Sequence, residues 1–491
     1  MKSDVIQYER TYHLLKSRIE SGILPVGTKL PGRSILCREL KTSERTVRHA
    51  LELLEQDGFL EISPRKRPVV ISDFAAPDGR ALQRTRKTDA GQVNDLLKTA
   101  ILLCYPIYMQ GLRLCRGDDW RIPEAMFQKM APEHPDEFWQ LSTHLWRFFI
   151  ARNENELLVR VVDSLGFQGK EPLHDSLKDR VQYCSYIEKL FQTVKNGSEP
   201  DPNILESIFS QYKTIAKGAK EGQFQQLLSP CPMLAEADGL EQQLILAQER
   251  YSSVCLDLLG LIATGQYHPG DKLPTHDQLQ KIYHVSRDTS VKAIRMLRKW
   301  GVVTAAPRRG ISVVMDLEGL KKIHIEPVAI ACHVRRYLDS LDLLSLTVKQ
   351  VAAHAAAYME PEAVEILYKT LLNQWKQSGG HQIIPRTLLD FITEHIQYDA
   401  LRTIYEILAR NFSIGRSIPQ LVSPYKNSQN SNIYRKCIEA VKLLMDGDIR
   451  LFAKAAAQMY KEIQSLVIDE CKQLGYWDAA MKVYDGKALW N

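Results

Sequence analysis

The sequence predicts a mainly α fold: two winged helix-turn-helix domains, each followed by an all-α helical bundle. Three observations carry this. Residues 270–314 read as helix, turn, helix and basic hairpin. Residues 27–71 repeat that layout at a constant separation of 243 positions, as from Leu30 to Leu273. Elsewhere, apolar residues recur at spacings of three and four, and the alternation expected of strands is absent.

The later copy opens on a Pro269-Gly270 turn and a short helix at 278–283. A tight turn at His284-Val285 leads to Ser286, a good N-cap, and an amphipathic run through Trp300 that Gly301 closes. Val302-Val303, Arg308-Arg309, Gly310 and the apolar run 311–314 then form a hairpin. In the earlier copy Ser43, Thr46, Ala50 and Gly58 stand for Ser286, Thr289, Ala293 and Gly301, and Pro64-Arg65 matches Pro307-Arg308 without a gap. One register held through two helices and a hairpin is an internal duplication. In this layout the second helix enters the DNA major groove.

G-x-K-L-P, then V-S-R-x-T (Val285-Ser286-Arg287 and Thr289), then A-I/L-x-x-L-x-x-x-G resembles the DNA-binding domain of GntR-type bacterial transcription regulators. The first copy keeps Ser43, Thr46, Val47 and Arg48. Both copies depart from the family's Ser-Glu-Arg after Leu-Pro, with Gly32-Arg33-Ser34 and Thr275-His276-Asp277. Glu44 precedes Arg45 where the family has Arg, and the wing glycine is Gly310 in one copy but Arg67 in the other. A winged helix before an all-α domain resembles the FadR-like branch, in which the bundle binds an effector and mediates dimerisation. Residues 335–338 look like the first helix of such a bundle, and 445–460 look like its ending, with Met459 where a metal-binding His would stand. The resemblance therefore implies DNA, an unidentified small-molecule effector and a possible homodimer as partners, and no metal or other cofactor.

The chain has 491 residues and a net charge of +6, which predicts several domains and basic charge concentrated in the hairpins. The expected domains are a winged helix at 1–73, a linker at 74–91, an all-α domain at 92–238, a second winged helix at 239–316 and a second all-α domain at 317–491. The first helices of the heads are expected at 7–21 and 241–264. Bundle helices are expected at 94–114, 135–151, 155–165, 177–196 and 203–217, and then at 334–359, 361–376, 385–398, 401–412, 431–445 and 449–470. Residues 116–122 read as a loop in which Asp118-Asp119 cap a helix.

Nine cysteines are scattered singly with no C-x-x-C pair, which argues against disulfides and zinc. No leader precedes the first helix, and the apolar run 96–112 is short for a bilayer, so a cytoplasmic protein without membrane contact is expected. Asp390 with His395, Asp136 and His144 are the nearest candidates for a metal, and each reads better as a surface or core-edge residue. Cys231 has no neighbouring base, nucleotide-binding and hydrolase motifs are absent, and no enzyme activity is expected.

Read as a DNA-binding regulator, the chain presents Arg45, Thr46 and Arg48 on one recognition helix. Arg287, Asp288, Thr289 and Lys292 stand on the other, where arginine reading guanine is the commonest specific pairing. Ser43 and Ser286 cap these helices, and Arg33 and His276 open the helices before them. Arg65, Lys66, Arg67, Arg308, Arg309 and Gly310 form the wings that lie along the backbone. Leu51, Leu54, Ile294 and Leu297 form the inner faces. Because the heads differ, one chain is expected to act as a pseudo-dimer on an asymmetric site. The other reading is a non-enzymatic interaction protein in which one or both winged helices bind protein.

Overall fold

The structure is a computed structural model that describes residues 7–20, 22–40, 42–64, 66–72, 90–165, 175–201, 203–209, 250–263, 266–283, 285–306, 309–320, 323–377, 379–418, 421 and 426–483. The expected linker up to residue 89, the boundary region 228–238, Cys231, Arg65 and Arg308 lie outside these residues. So do the later part of the helix expected at 203–217 and the start of the one expected at 241–264.

The chain divides into two units, one mainly Gln7–Leu244 and the other mainly Ile245–Gln397 with Ile404–Val483. The first unit opens with α1 (Gln7–Glu20), α2 (Arg33–Glu39), α3 (Glu44–Gln56), β1 (Leu60–Glu61) and β2 (Val69–Val70). Leu15 and Ile19 of α1 are buried with Val47, Leu51 and Leu54 of α3 beneath Phe59, Leu60 and Val70. An amphipathic helix that can bury its stripe in this way needs little intrinsic propensity.

Its helical domain comprises α4 (Ala90–Leu114), α5 (Arg121–Lys129), α6 (Pro135–Ala151), α7 (Glu156–Ser164), α8 (Leu177–Lys195) and α9 (Ile204–Ile208). Pro106 lies inside α4 without ending it. The expected loop at 116–122 is instead a 3-10 turn, Gly117–Trp120, that runs directly into α5. Asp119 does cap here, accepting from the Arg116 amide at 2.8 Å. The helix beyond was hidden because it buries only Pro123 and Met126, too few positions to show a period. Aromatic side chains dominate the core, with Phe138, Phe148, Phe149 and Tyr183 all buried.

The second unit begins with α10 (Arg250–Ala263), β3 (Lys272–Leu273), α11 (His276–Tyr283), α12 (Arg287–Lys299), β4 (Val303–Ala306) and β5 (Gly310–Val313). Then come α13 (Leu317–Leu320), α14 (Ala331–Ala356), α15 (Pro361–Lys376), α16 (Ile384–Glu394), α17 (Asp399–Phe412), α18 (Ile414–Ser417), α19 (Ser428–Met445), α20 (Ile449–Gln473) and α21 (Tyr476–Met481). The long α14 is its axis, packed along α20 and flanked by α16, α18 and α21. Among the described residues no helix is long and apolar enough to cross a membrane.

The duplication extends to strand register. Leu60 faces Val70 and Glu61 faces Val69 in the first sheet; Val303 faces Val313 and Thr304 faces Ser312 in the second. The Lys29–Val69 bridge repeats as Lys272–Ser312. The second wing adds two further pairs, Ala305–Ile311 and Ala306–Gly310. Gly310 allows this with a left-handed φ of 76°. In the first copy the equivalent positions are Arg67, which does not take that conformation, and Pro68, which has no amide to donate to a ladder. The first wing therefore stops at two pairs.

Where α4 crosses α6, a Cβ on Gly111 would lie 1.8 Å from the Phe149 carbonyl oxygen. Gly111→Ala is expected to lower the stability of this domain by about 1–3 kcal/mol, as overpacking does. Gly32→Ser, at an N-cap open to solvent, should change it by only a few tenths. Urea unfolding midpoints compare the two.

Candidate nucleic-acid interface

Each recognition helix starts at the serine expected to cap it. Ser43 Oγ accepts from the Thr46 amide at 3.2 Å and Ser286 Oγ from the Thr289 amide at 3.3 Å. The serine and threonine hydroxyls also pair, at 2.8 and 3.0 Å. These bonds fix the first turn, whose remaining amides form a positive end suited to a phosphate. Leu51, Leu54, Ile294 and Leu297 face inward and are buried, as their spacing required.

The outward faces differ in charge. Along α3 stand two arginines and three glutamates; along α12 stand five basic residues and one aspartate. Arg45 and Arg48 are exposed, but Arg48 Nε lies 3.7 Å from Glu52 Oε1, and His49 Nδ1 lies 3.7 Å from Glu52 Oε2. An exposed pair of this kind is weak, yet it draws the guanidinium along its own helix. The second head has Arg295 where the first has Glu52, and it is exposed. Arg295, Arg298 and Lys299 extend the basic face and were not among the residues singled out from sequence. Their spacing on the solvent side of the run was the available signal.

Arg287 is exposed beside Ser286, and Thr289 is half-buried. Lys292 turns back toward the first helix of its head, with Nζ 3.3 Å from the centre of the Tyr251 ring. His276 also points inward, its Nδ1 3.1 Å from Ser290 Oγ, whereas Arg33 at the equivalent position is exposed. Ser290 is fully buried where the first copy has Val47, so His276 completes a polar patch in the core. Of the wing residues, Lys66, Arg67, Arg309 and Gly310 are exposed. The Arg309 carbonyl accepts from Lys272 Nζ, which ties the wing tip to β3.

The first head is also fastened to the domain behind it. Arg147 of α6, 2% exposed, donates to Glu20 at the end of α1 and to Asp163 of α7 at 2.5 and 3.0 Å. Burial pushes the Glu20 carboxyl upward, opposed first by Arg147 and then by Lys16. His144 Nδ1 bonds the Glu20 carbonyl at 2.9 Å. A carbonyl only accepts, so this nitrogen carries the proton and caps the end of α1. At the far side of the head, Tyr12 of α1 donates to Asp57, the residue that ends α3.

The metal candidates have other partners. Asp390 Oδ1 accepts from Arg386 Nε at 2.6 Å, and His395 Nδ1 lies 2.8 Å from the Phe391 carbonyl, which it caps. Asp136 lies in the first turn of α6.

Helix, turn, helix and hairpin, built twice on one register, define a tandem winged helix-turn-helix protein. The model of the bacterial regulatory proteins of the gntR family matches twice, at residues 7–70 and 250–313, so the segment shared with that family is duplicated in this chain. It is 34% identical over 67 residues to the uncharacterized HTH-type transcriptional regulator YdfD of Bacillus subtilis (strain 168), covering 14% of each chain. To the uncharacterized HTH-type transcriptional regulator YcbG of the same organism it is 28% identical over 124 residues, 25% of this chain and 52% of that one. The chain thus spans at most about half the length of these curated relatives. A solved structure of Streptococcus agalactiae GntR aligns with 44% of this chain and 99% of its own, at 16% identity and a TM-score of 0.21.

Removing either cap hydroxyl, by Ser43→Ala or Ser286→Ala, is expected to destabilise its head by about 1 kcal/mol. Arg287→Ala should stay within roughly 0.5 kcal/mol of wild type. Chemical unfolding curves check both.

Proposed function

We propose that this chain is a sequence-specific DNA-binding transcription regulator of gntR type, with the second head as its principal reader. The supporting observation is the outer face of α12: four outward basic residues, Arg287, Arg295, Arg298 and Lys299, against one aspartate, a serine-capped start, and a long wing with Arg309 beside it. Phosphate neutralisation supplies affinity, and Arg287 at the open end of the helix supplies base discrimination. The first head, more acidic and shorter in the wing, adds a weaker contact that gains from covalent linkage. The two helical domains receive a small molecule and can pair two chains; the protein acts in the cytoplasm and catalyses no reaction.

The second reading, a head that binds protein in place of DNA, is favoured for the first copy alone. Three glutamates on α3 and the tie of Arg48 to Glu52 weaken its fit to phosphate.

Gel shifts with the natural operator at two salt concentrations test the proposal. Arg287→Ala should weaken specific binding by about 1–3 kcal/mol, roughly fivefold to 150-fold, and relax one base position. Unchanged binding would remove α12 from the groove. Footprinting should give two unlike half-sites with one chain bound; a perfect palindrome with two chains bound would leave one working head per chain.

A further inference from the structure

The helical domain of the first unit holds a cavity of about 100 Å³ beside α4, α6 and α9. Four aromatic rings gather at its wall. Tyr108 lies 4.9 Å from Trp146, and Phe209 lies 5.0 to 5.7 Å from Trp146, Tyr108 and Tyr105, between ring centres. The polar atoms that reach it are already engaged. Ser142 Oγ and Tyr183 Oη are 2.5 Å apart, Tyr183 Oη accepts from Trp146 Nε1 at 2.7 Å, and Thr143 Oγ1 donates to the Trp139 carbonyl at 3.0 Å. Burial holds the Cys104 thiol up at about 12 and raises the Tyr105 and Tyr183 phenols, so these walls carry no charge at neutral pH.

Among the described residues the one charged group at the wall is Arg147, and its guanidinium is bound by Glu20 and Asp163. A charged ligand would lose its water and find no counter-charge that is not already committed. A flat uncharged ring would instead gain stacking and apolar contact. A single ring is the most it takes, since benzene occupies an apolar cavity of roughly 150 Å³ and this one is smaller, leaving part of the ring at its mouth.

We infer that this cavity binds an uncharged single-ring aromatic compound and that Arg147 relays its occupancy to the first head. The relay is continuous. Arg147 forms part of the wall and holds Glu20; Glu20 ends α1; and α1 is fastened through Tyr12 to Asp57 at the end of α3. A ring seated against Arg147 favours one arrangement of that ion pair and so one seating of α1, which is the differential contact that coupling requires. The ligand site stands on its own, whereas its effect on DNA rests on the regulator reading above.

Phenol is the probe and benzoate its charged counterpart. Ligand-observed NMR on the full chain should show saturable phenol binding at least about tenfold tighter than benzoate. Filling the cavity by Ala100→Phe, or by Ile101→Trp should the first variant not fold, should abolish it. Equal binding of the two probes, or phenol binding that survives a folded cavity-filling variant, overturns the site. Hydrogen exchange reads the relay: phenol should change protection of α1 in wild type, while Glu20→Gln should keep phenol binding and lose that change. An α1 that ignores phenol, or responds equally in Glu20→Gln, overturns the relay. Gel shifts with and without phenol separate the two proposals, because a chain that never binds DNA defeats the regulator reading while the NMR and exchange results stand.

Discussion

The apolar seam between the first helix of each head and its recognition helix is the contact on which the rest depends. Leu15 and Ile19 fill it in one copy, Leu258 and Ile262 in the other, and all four are almost wholly excluded from water. Burying a side chain of this size contributes about 1.5–3 kcal/mol. With the inner face of the recognition helix so occupied, its other side must face solvent, and every exposed arginine there follows from that orientation. Beneath it, Leu54 and Leu297, Leu60 and Val303, and Val70 and Val313 are buried in equivalent places. The duplication has preserved the interior closely and left the surface free to diverge.

That divergence has a direction. The second copy lengthens its wing and collects cations along α12, while the first shortens its wing and spends part of its basic charge on Glu52. One core exchange that accompanies it is Val47 against Ser290, whose hydroxyl takes up His276. A histidine expected among the DNA-facing residues at the start of its helix is thereby committed to packing.

What was legible in the sequence was local. Capping serines, glycines after helices and apolar periods act within a few residues, so most of the described helices fall within a few positions of their expected bounds. What was not legible depends on partners far along the chain. Arg147 lies in the run His144-Leu145-Trp146-Arg147-Phe148-Phe149, where helical period assigns it no partner, and its partner Glu20 is 127 positions away. A cation surrounded on both sides by aromatic residues was the only hint. Lys292 likewise reads as a groove contact until Tyr251 is placed beneath it. Side-chain direction at a head's surface is set by the tertiary fold, and helical period alone does not contain it.

Two heads with interchangeable interiors also compete with each other while the chain is folding. A nascent first helix could settle on the wrong recognition helix, the kind of domain exchange to which repeat proteins are prone. The fillers of the seam oppose such a swap. Tyr12 donates to Asp57 in its own head, but the position equivalent to Asp57 in the other is Trp300, which offers no carboxylate. In the opposite exchange, Cys255 would stand in Tyr12's place and leave Asp57 without its phenol. The tyrosine–aspartate bond thus acts as a key that tells α1 which of two nearly identical locks is its own.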